Sequence, residues 1–262
     1  MNLKNKVILV TGASSGLGEQ ICYEAAKRGA IIIVCARRIQ LIGQVKEKCK
    51  QLSQNEAYAF QLDVSDPDSI ERMYERVKQE VGAVDCLVND AGFGHFDNFV
   101  SFEQEKIREM FEVNVLGLML LTQRVASDML ESKRGHIINI ASMAGKMATP
   151  KSSIYSATKF AVLGFSNALR LELKPFGIAV TTVNPGPIRT EFFDKADPSG
   201  NYLENVDAFV IKPNKLAHKI VKQISRPKRE INQPAIMEFA ARAYQLFPKV
   251  GDFLAAGIFN QK

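Results

Sequence analysis

The chain is poor in the residues that metal and thiol chemistry require. It has three histidines and four cysteines. Cys22, Cys35, Cys49 and Cys86 form no Cys-x-x-Cys pair, and no histidine stands at ligand spacing from them. We expect no metal site and read the thiols as reduced and mostly buried, which suits a cytoplasmic protein. No apolar run approaches the roughly 20 residues that span a bilayer. The first strand-like run, Val7-Ile-Leu-Val10, is far too short for a signal-peptide core. Basic residues exceed acidic ones by only 34 to 28, a net +6, and no Lys/Arg block stands out. Nucleic acid is therefore not an expected partner; a small anionic ligand accounts for a basic site just as well. Internal repeats, low-complexity stretches and Pro/Gly-rich linkers are also missing. Residues 1–262 read as one domain.

What is present is an ordinary globular composition, 46% hydrophobic and 24% charged, arranged as short apolar runs alternating with longer amphipathic segments. The strand candidates are 6–10, 31–35, 57–61, 84–88, 135–140 and 178–183. The helix candidates are 16–28, 39–52, 67–81, 103–132 and 152–174. Ile31-Ile-Ile-Val34 is apolar without interruption, as a strand buried on both faces should be. Asp66-Pro67 has the form of a helix start, and Gly29 and Gly177 stand where a helix gives way to a strand. This rhythm predicts an α/β fold: a doubly wound parallel sheet with helices on both faces. Residues 188–212 break the rhythm and read either as a substrate lid or as a surface excursion. A helix over 213–225 and a basic stretch, Arg226-Pro-Lys-Arg229, follow. Residues 230–262 read as a C-terminal extension. Its apolar positions, from Ile236 to Phe259, suit packing on the core or on a second subunit better than a membrane surface.

Thr11-Gly-Ala-Ser-Ser-Gly-Leu-Gly18 follows the first strand and opens the first helix. Gly12 lets the chain turn, Gly16 lets the backbone approach a pyrophosphate, and Gly18 lets helix and strand pack closely. The helix start then offers N–H groups and the positive end of its dipole to phosphates. The Gly-x-x-x-Gly-x-Gly spacing lacks the Lys-Ser/Thr of a P-loop, and its place between strand and helix points to a Rossmann-type dinucleotide site. Gly12, Ser14, Ser15, Gly16, Leu17 and Gly18 are the residues expected against the cofactor. The second strand ends in Val34-Cys-Ala-Arg37-Arg38, where an NAD site would usually carry Asp or Glu. A guanidinium there suits the 2′-phosphate, so Arg37, with Arg38 beside it or facing solvent, favours NADP(H) over NAD(H).

Tyr155 and Lys159 stand four apart, on one face of a predicted helix. A phenol titrates near ~10, and a fixed positive charge lowers that value, so the pair suits proton exchange with a carbonyl or alcohol. Four patterns stand in order: the glycine turn, Asn89-Asp-Ala-Gly92, Ser142 with Tyr155-x-x-x-Lys159, and Asn184-Pro-Gly186. Together they resemble the classical short-chain dehydrogenase/reductase (SDR) family over about residues 5–190. The resemblance implies that Tyr155 is the acid/base and that Lys159 lowers its pKa and binds the nicotinamide ribose. It implies that Ser142 holds the substrate oxygen and that Asn114 holds a water linking Lys159 to solvent. It further implies that Asp63 and Val64 line the adenine pocket, and that Asn89, Ala91 and Gly92 pack against the cofactor ribose. Pro185, Gly186, Ile188 and Thr190 would bind the nicotinamide. One departure stands out: the family commonly reads Asn-Asn-Ala-Gly, and position 90 here is Asp.

The substrate is expected to be a small carbonyl or alcohol, apolar in character. Residues 93–100, 143–153 and 188–210 would shape its pocket, with Phe93, Met143 and Phe192 named beside Ser142 and Tyr155. His95, His136 and His218 match no catalytic position. Ser142 as a strand-end cap, Asn114 as a core amide and Lys159 as a surface charge are the plain structural alternatives. At the level of function, an NAD-dependent dehydrogenase and a non-catalytic cofactor-binding sensor remain open. The resemblance also implies a homodimer or homotetramer built through the helices at 103–132 and 152–174.

Overall fold

The structure is a computed structural model that describes residues 3–197, 200 and 202–256. The far end of the expected extension, with Phe259, and three positions of the 188–212 segment lie outside the described residues. Seven parallel strands form one sheet in the order β3-β2-β1-β4-β5-β6-β7. They are β1 (Val7–Thr11), β2 (Ile31–Ala36), β3 (Ala57–Gln61), β4 (Cys86–Asn89), β5 (Gly135–Ile140), β6 (Ile178–Pro185) and β7 (Glu230–Gln233). The six anticipated strands are all present. β7 was not anticipated: Glu-Ile-Asn-Gln has no apolar run, and its pairing with β6, from Thr182↔Glu230 to Pro185↔Gln233, makes it a strand. Glu230 therefore begins the sheet's last strand.

The apolar runs follow from burial on both faces. Ile8, Val10, Ile32, Val34, Val88 and Ile138 pack one way, against α1 (Gly16–Ala26), α2 (Ile39–Ser53) and α9 (Pro213–Ile224). Their strand neighbours Leu9, Ile33, Leu87 and Ile137 point the other way, onto α3 (Pro67–Glu80) and α5 (Leu118–Ser132). Each fully buried Ile or Leu stabilises the fold by roughly 1.5–3 kcal/mol. α3 starts as its sequence predicts: Pro67 occupies the first turn and the Asp66 carboxylate accepts the Asp68 N–H at 2.9 Å.

The helix expected over 103–132 is interrupted. α4 (Gln104–Phe111) passes into a π-helical turn, Glu112–Gly117, before α5. Such wide turns insert an extra residue into an α-helix and often mark functional sites. This one carries Asn114 into the interior, where it is 1% exposed. The helix expected over 152–174 is α6 (Ser153–Leu173). Beyond β6 the chain forms two short helices, α7 (Phe192–Ala196) and α8 (Tyr202–Asn205), then α9 and β7, and ends in α10 (Ala235–Leu246) and α11 (Pro248–Ala256).

A buried polar ladder ties the sheet to α5 and α6 beneath the strand ends. The Asn89 amide donates to Thr122 Oγ1 at 2.9 Å and to Asn139 Oδ1 at 2.8 Å. Asn139 in turn donates to Ser166 Oγ at 2.9 Å. Removing the middle of such a chain leaves partners stranded away from water, a loss of about 1–3 kcal/mol. Asn139→Ala should lower the unfolding free energy by that amount, read as a lower urea midpoint with an unchanged slope; an unaltered midpoint would show that the ladder contributes little.

Candidate active site

The chain leaves β1 toward β2 on one side and β4 toward β5 on the other, so the loops after these neighbouring strands part. A crevice opens at the carboxyl ends of parallel strands where the winding reverses. Here it is a cleft of about 380 Å³. Gly12 adopts φ +66°, and a Cβ there would lie 2.8 Å from the Ala91 backbone, so the turn after β1 rests directly on the loop after β4. Thr11 Oγ1 fixes that contact by accepting the N–H groups of Asp90 (3.1 Å) and Ala91 (3.0 Å).

Ser15 precedes α1 without capping it, which leaves the first-turn N–H groups of the helix without a side-chain acceptor from that residue. Its hydroxyl instead accepts from Arg38 Nη2 at 2.8 Å, and Ser14 Oγ accepts from the same guanidinium at 2.8 Å. Arg38 is therefore folded over the glycine turn. Arg37 is the more exposed of the two and lies 3.9 Å from the Asp63 carboxylate. Both arginines, with Asp63 and Val64, line the same end of the cleft.

At the other end α6 presents Tyr155 and Lys159. Lys159 is 6% exposed, its Nζ donates to the Ile140 carbonyl at 3.0 Å, and it lies 5.7 Å from the centre of the Tyr155 ring. Burial pulls the Lys159 ammonium down to about 8, against the opposing pull of the Asp90 charge. Burial also pushes the Asp90 carboxyl up to about 8, opposed by Lys159 and by the Gly18 N–H. Ser142, at the end of β5, accepts the Ala144 N–H at 3.0 Å and so is both a cap and a wall of the cleft. The Asn114 carboxamide clasps the Phe93 backbone: Oδ1 accepts its N–H at 3.0 Å and Nδ2 donates to its carbonyl at 2.8 Å. Nδ2 also donates to Thr158 Oγ1 at 3.2 Å, which leaves one Oδ1 lone pair as the side chain's remaining capacity.

The wall around Tyr155 is apolar. Phe96 meets its ring edge-on at 5.9 Å and Phe192 lies at 5.7 Å, with Phe93, Phe193, Met143 and Met147 alongside. Met237, from α10, closes this wall over Gly186, where a Cβ would lie 2.6 Å from its sulfur. α10 is held there by Lys146, whose Nζ reaches Glu230 at 2.6 Å and Glu238 at 2.9 Å.

A family model described as short chain dehydrogenase matches residues 6–200. The chain belongs to the short-chain dehydrogenase/reductase family. As an SDR protein it is an oxidoreductase, and its fold recurs in solved complexes with a nicotinamide dinucleotide. The human dehydrogenase/reductase SDR family member 7 is 35% identical over 74% of this chain, which spans 58% of that relative's length. Farnesol dehydrogenase of Aedes aegypti is 34% identical over 77% of the chain and 86% of its own. A short-chain dehydrogenase of Sphingobium yanoikuyae solved with NADPH superposes with a TM-score of 0.80 at 28% identity, covering 93% of this chain and 95% of its own.

Most of the SDR residues read from the sequence meet in the one cleft: Gly12, Ser14, Ser15, Gly16, Leu17, Ala91, Gly92, Pro185, Gly186, Ile188 and Thr190 line it with those named above. Three do not. Asn89 turns its side-chain amide into the polar ladder, toward Thr122 and Asn139. Gly18 lies behind the wall, where a Cβ would come within 2.7 Å of Asp90 Oδ2, so it serves packing. Asn114 acts from behind Phe93 and Gly92. Phe96 and Lys146 fall within the stretches 93–100 and 143–153 expected around the pocket, whereas the sequence reading gave no role to the Thr11 hydroxyl or to Met237. Thr11 adjoins the glycine turn and was within reach; Met237 carries no local signal, since it lies beyond β7, and the role of Lys146 shows only in its pairing with Glu230 and Glu238. His95, His136 and His218 lie away from it, against Phe102, Thr181 and Glu24. Lys146→Ala should free α10, raising its amide hydrogen exchange by at least ~tenfold while β1 and β4 keep their protection. Equal exchange in both proteins would remove the tether.

Proposed function

We propose that the chain is an NADP-dependent oxidoreductase that reversibly converts an apolar carbonyl compound and its alcohol. The observation that carries this reading is a buried Tyr155–Lys159 pair facing an apolar wall at one end of a cleft whose other end is a glycine turn under two arginines. The residues present fit the dinucleotide. The α1 turn offers N–H groups to its diphosphate, and Arg37 and Arg38 offer charged donors to a 2′-phosphate. The NADPH named for the Sphingobium yanoikuyae relative and the farnesol of the Aedes aegypti one agree with both halves of the proposal.

When bound, the cofactor supplies or accepts the hydride. The chain's own residues manage the oxygen. Ser142 Oγ and the Tyr155 hydroxyl hydrogen-bond the carbonyl oxygen, and Tyr155 gives up its proton as negative charge develops there. The Lys159 ammonium favours the phenolate left behind. The free lone pair of Asn114 Oδ1 suits a water that returns the proton from solvent. Residues 188–212 act as a cover over the substrate. Their ends are joined by the Ile188↔Ile211 bridge, and Phe192 and Phe193 hang into the cleft between them. Exposed Leu116, Leu120, Phe160 and Leu171 on the π turn, α5 and α6 favour a homo-oligomer through those faces. Four buried, free cysteines suit a cytoplasmic, reducing setting.

Two measurements test this reading. Tyr155→Phe should cut turnover of an apolar ketone by at least ~10²-fold while NADPH affinity stays within about threefold; undiminished turnover ends the assignment. By calorimetry NADPH should bind the native protein at least ~tenfold more tightly than NADH, and Arg38→Ala should narrow that gap. Equal affinities in the native protein favour the NAD-dependent alternative.

A further inference from the structure

α10 and α11 follow the edge strand β7, and their outer surface is apolar. Ile236, Phe239, Ala243 and Leu246 recur at helical spacing along one side of α10. Met237, Glu238 and Ala241 stand on the opposite side, turned toward the cleft wall, Lys146 and the core. Phe247, Val250 and Phe253 carry the exposed apolar series through the turn into α11, whose Gly251 lies against the Tyr244 ring. Phe239 and Leu246 are 74% exposed and Phe253 is 77% exposed, so the series does not pack on the core as its sequence suggested. Six large apolar side chains on two short helices exceed the scattered exposure usual on a soluble surface. They are also distinct from Leu116, Leu120, Phe160 and Leu171, which lie on the π turn, α5 and α6.

Charge decides what covers this face. α10 and α11 hold two carboxylates, and both are engaged: Glu238 is drawn in by Lys146 at 2.9 Å, and Asp252 accepts the Tyr244 hydroxyl at 2.8 Å. The cations stand outward. Arg242 is 73% exposed on the flank of the apolar stripe, and Lys249 is exposed at the start of α11. Exposed Arg229 lines one recess with Arg242, and exposed Arg226 and Lys228 adjoin it in the chain. An apolar stripe with a cationic margin is complementary to a lipid surface that bears anionic headgroups. The rings and aliphatic chains enter the acyl boundary while the cations stay with the phosphates. A second copy suits the face less well, because a two-fold contact sets the cationic margin against itself. Among the described residues no helix is long and apolar enough to cross a membrane, so α10 and α11 would lie along its surface. We propose that the α10–α11 hairpin docks flat on an anionic lipid surface, with Ile236, Phe239, Leu246, Phe247, Val250 and Phe253 as its lipid-facing side chains. Met237, on the inner side of the same helix, lines the cleft, so docking brings the apolar end of the cleft close to lipid. An apolar carbonyl compound then enters from the lipid, a consequence that alone rests on the proposed reaction.

The test is co-sedimentation of the full chain, without cofactor or substrate, with two kinds of vesicle: phosphatidylcholine alone, and phosphatidylcholine mixed with phosphatidylglycerol. Native protein should bind the mixed vesicles at least ~tenfold more tightly than the pure ones, and about 0.5 M NaCl should remove most of that gain. The double variant Phe239→Asp, Phe253→Asp should bind the mixed vesicles at least ~tenfold more weakly. Phe176→Asp, which alters an exposed ring on the turn before β6, should change binding less than about twofold. Thermal melting identifies the variants that fold. Lys249→Glu is the second variant should the double one not fold, and it should lower the preference for mixed vesicles by at least ~threefold. Native protein that stays in the supernatant with both vesicles overturns the proposal, as does a folded double variant that binds like the native chain. A double variant that breaks up an oligomer of the native protein in sedimentation velocity also overturns it and gives the face to a second copy. Tyr155→Phe assayed alongside separates the two ideas: retained turnover ends the reaction assignment, whereas vesicle binding still reports on the hairpin.

Discussion

Everything in the cleft depends on one backbone-to-backbone contact, the turn after β1 lying on the loop after β4. Gly12 permits it by having no side chain, and Thr11 fixes it by accepting two N–H groups from Asp90 and Ala91. The contact sits where the winding of the sheet reverses. It therefore sets the distance between the helix start that suits phosphates and the Gly92–Phe93 segment that backs the reacting end. Were this approach wider, the N–H groups of α1 and the α6 pair would no longer share one cleft.

From that contact outward, backbone amides and carbonyls do much of the positioning. Asn114 clasps Phe93 from a π turn, whose extra residue brings the carboxamide inward. Lys159 rests on the carbonyl of Ile140, and Thr158 donates to the carbonyl of Tyr155 at 2.7 Å. The side chains that do chemistry in the proposed reaction are thus oriented through main-chain atoms of β5, α6 and the loop after β4. These segments are anchored by the Asn89–Asn139–Ser166 ladder below. The wall around Tyr155 is built differently, from rings and thioethers with few polar contacts.

The fold was legible because its signals are local. Ile31-Ile-Ile-Val34 is apolar throughout because it faces helices on both sides, and Asp66-Pro67 starts α3 by its own chemistry. The glycine turn and Tyr155-x-x-x-Lys159 were legible for the same reason, being short patterns within single elements. What escaped depends on which strands become neighbours. Asn89 stands beside Gly92 in the sequence, and only the strands next to β4 reveal that its side-chain amide joins Thr122 and Asn139. Arg38 looks optional beside Arg37 until the turn after β1 offers it Ser14 and Ser15. Glu230–Gln233 has no apolar run and becomes a strand only by lying along β6, and Met237 reaches the cleft only through it.

That last dependence bears on how the molecule is made. β6 ends at Pro185, and the strand that covers its outer edge begins at Glu230. During synthesis a long stretch of chain must emerge before this edge acquires its partner. Until then the backbone of β6 is an open sheet margin, the kind of surface on which nascent chains aggregate. Met237 and the grip of Lys146 on Glu238 arrive later still. The apolar wall around Tyr155 therefore gains Met237 only after the glycine turn and the two arginines at the other end of the cleft have long been synthesised.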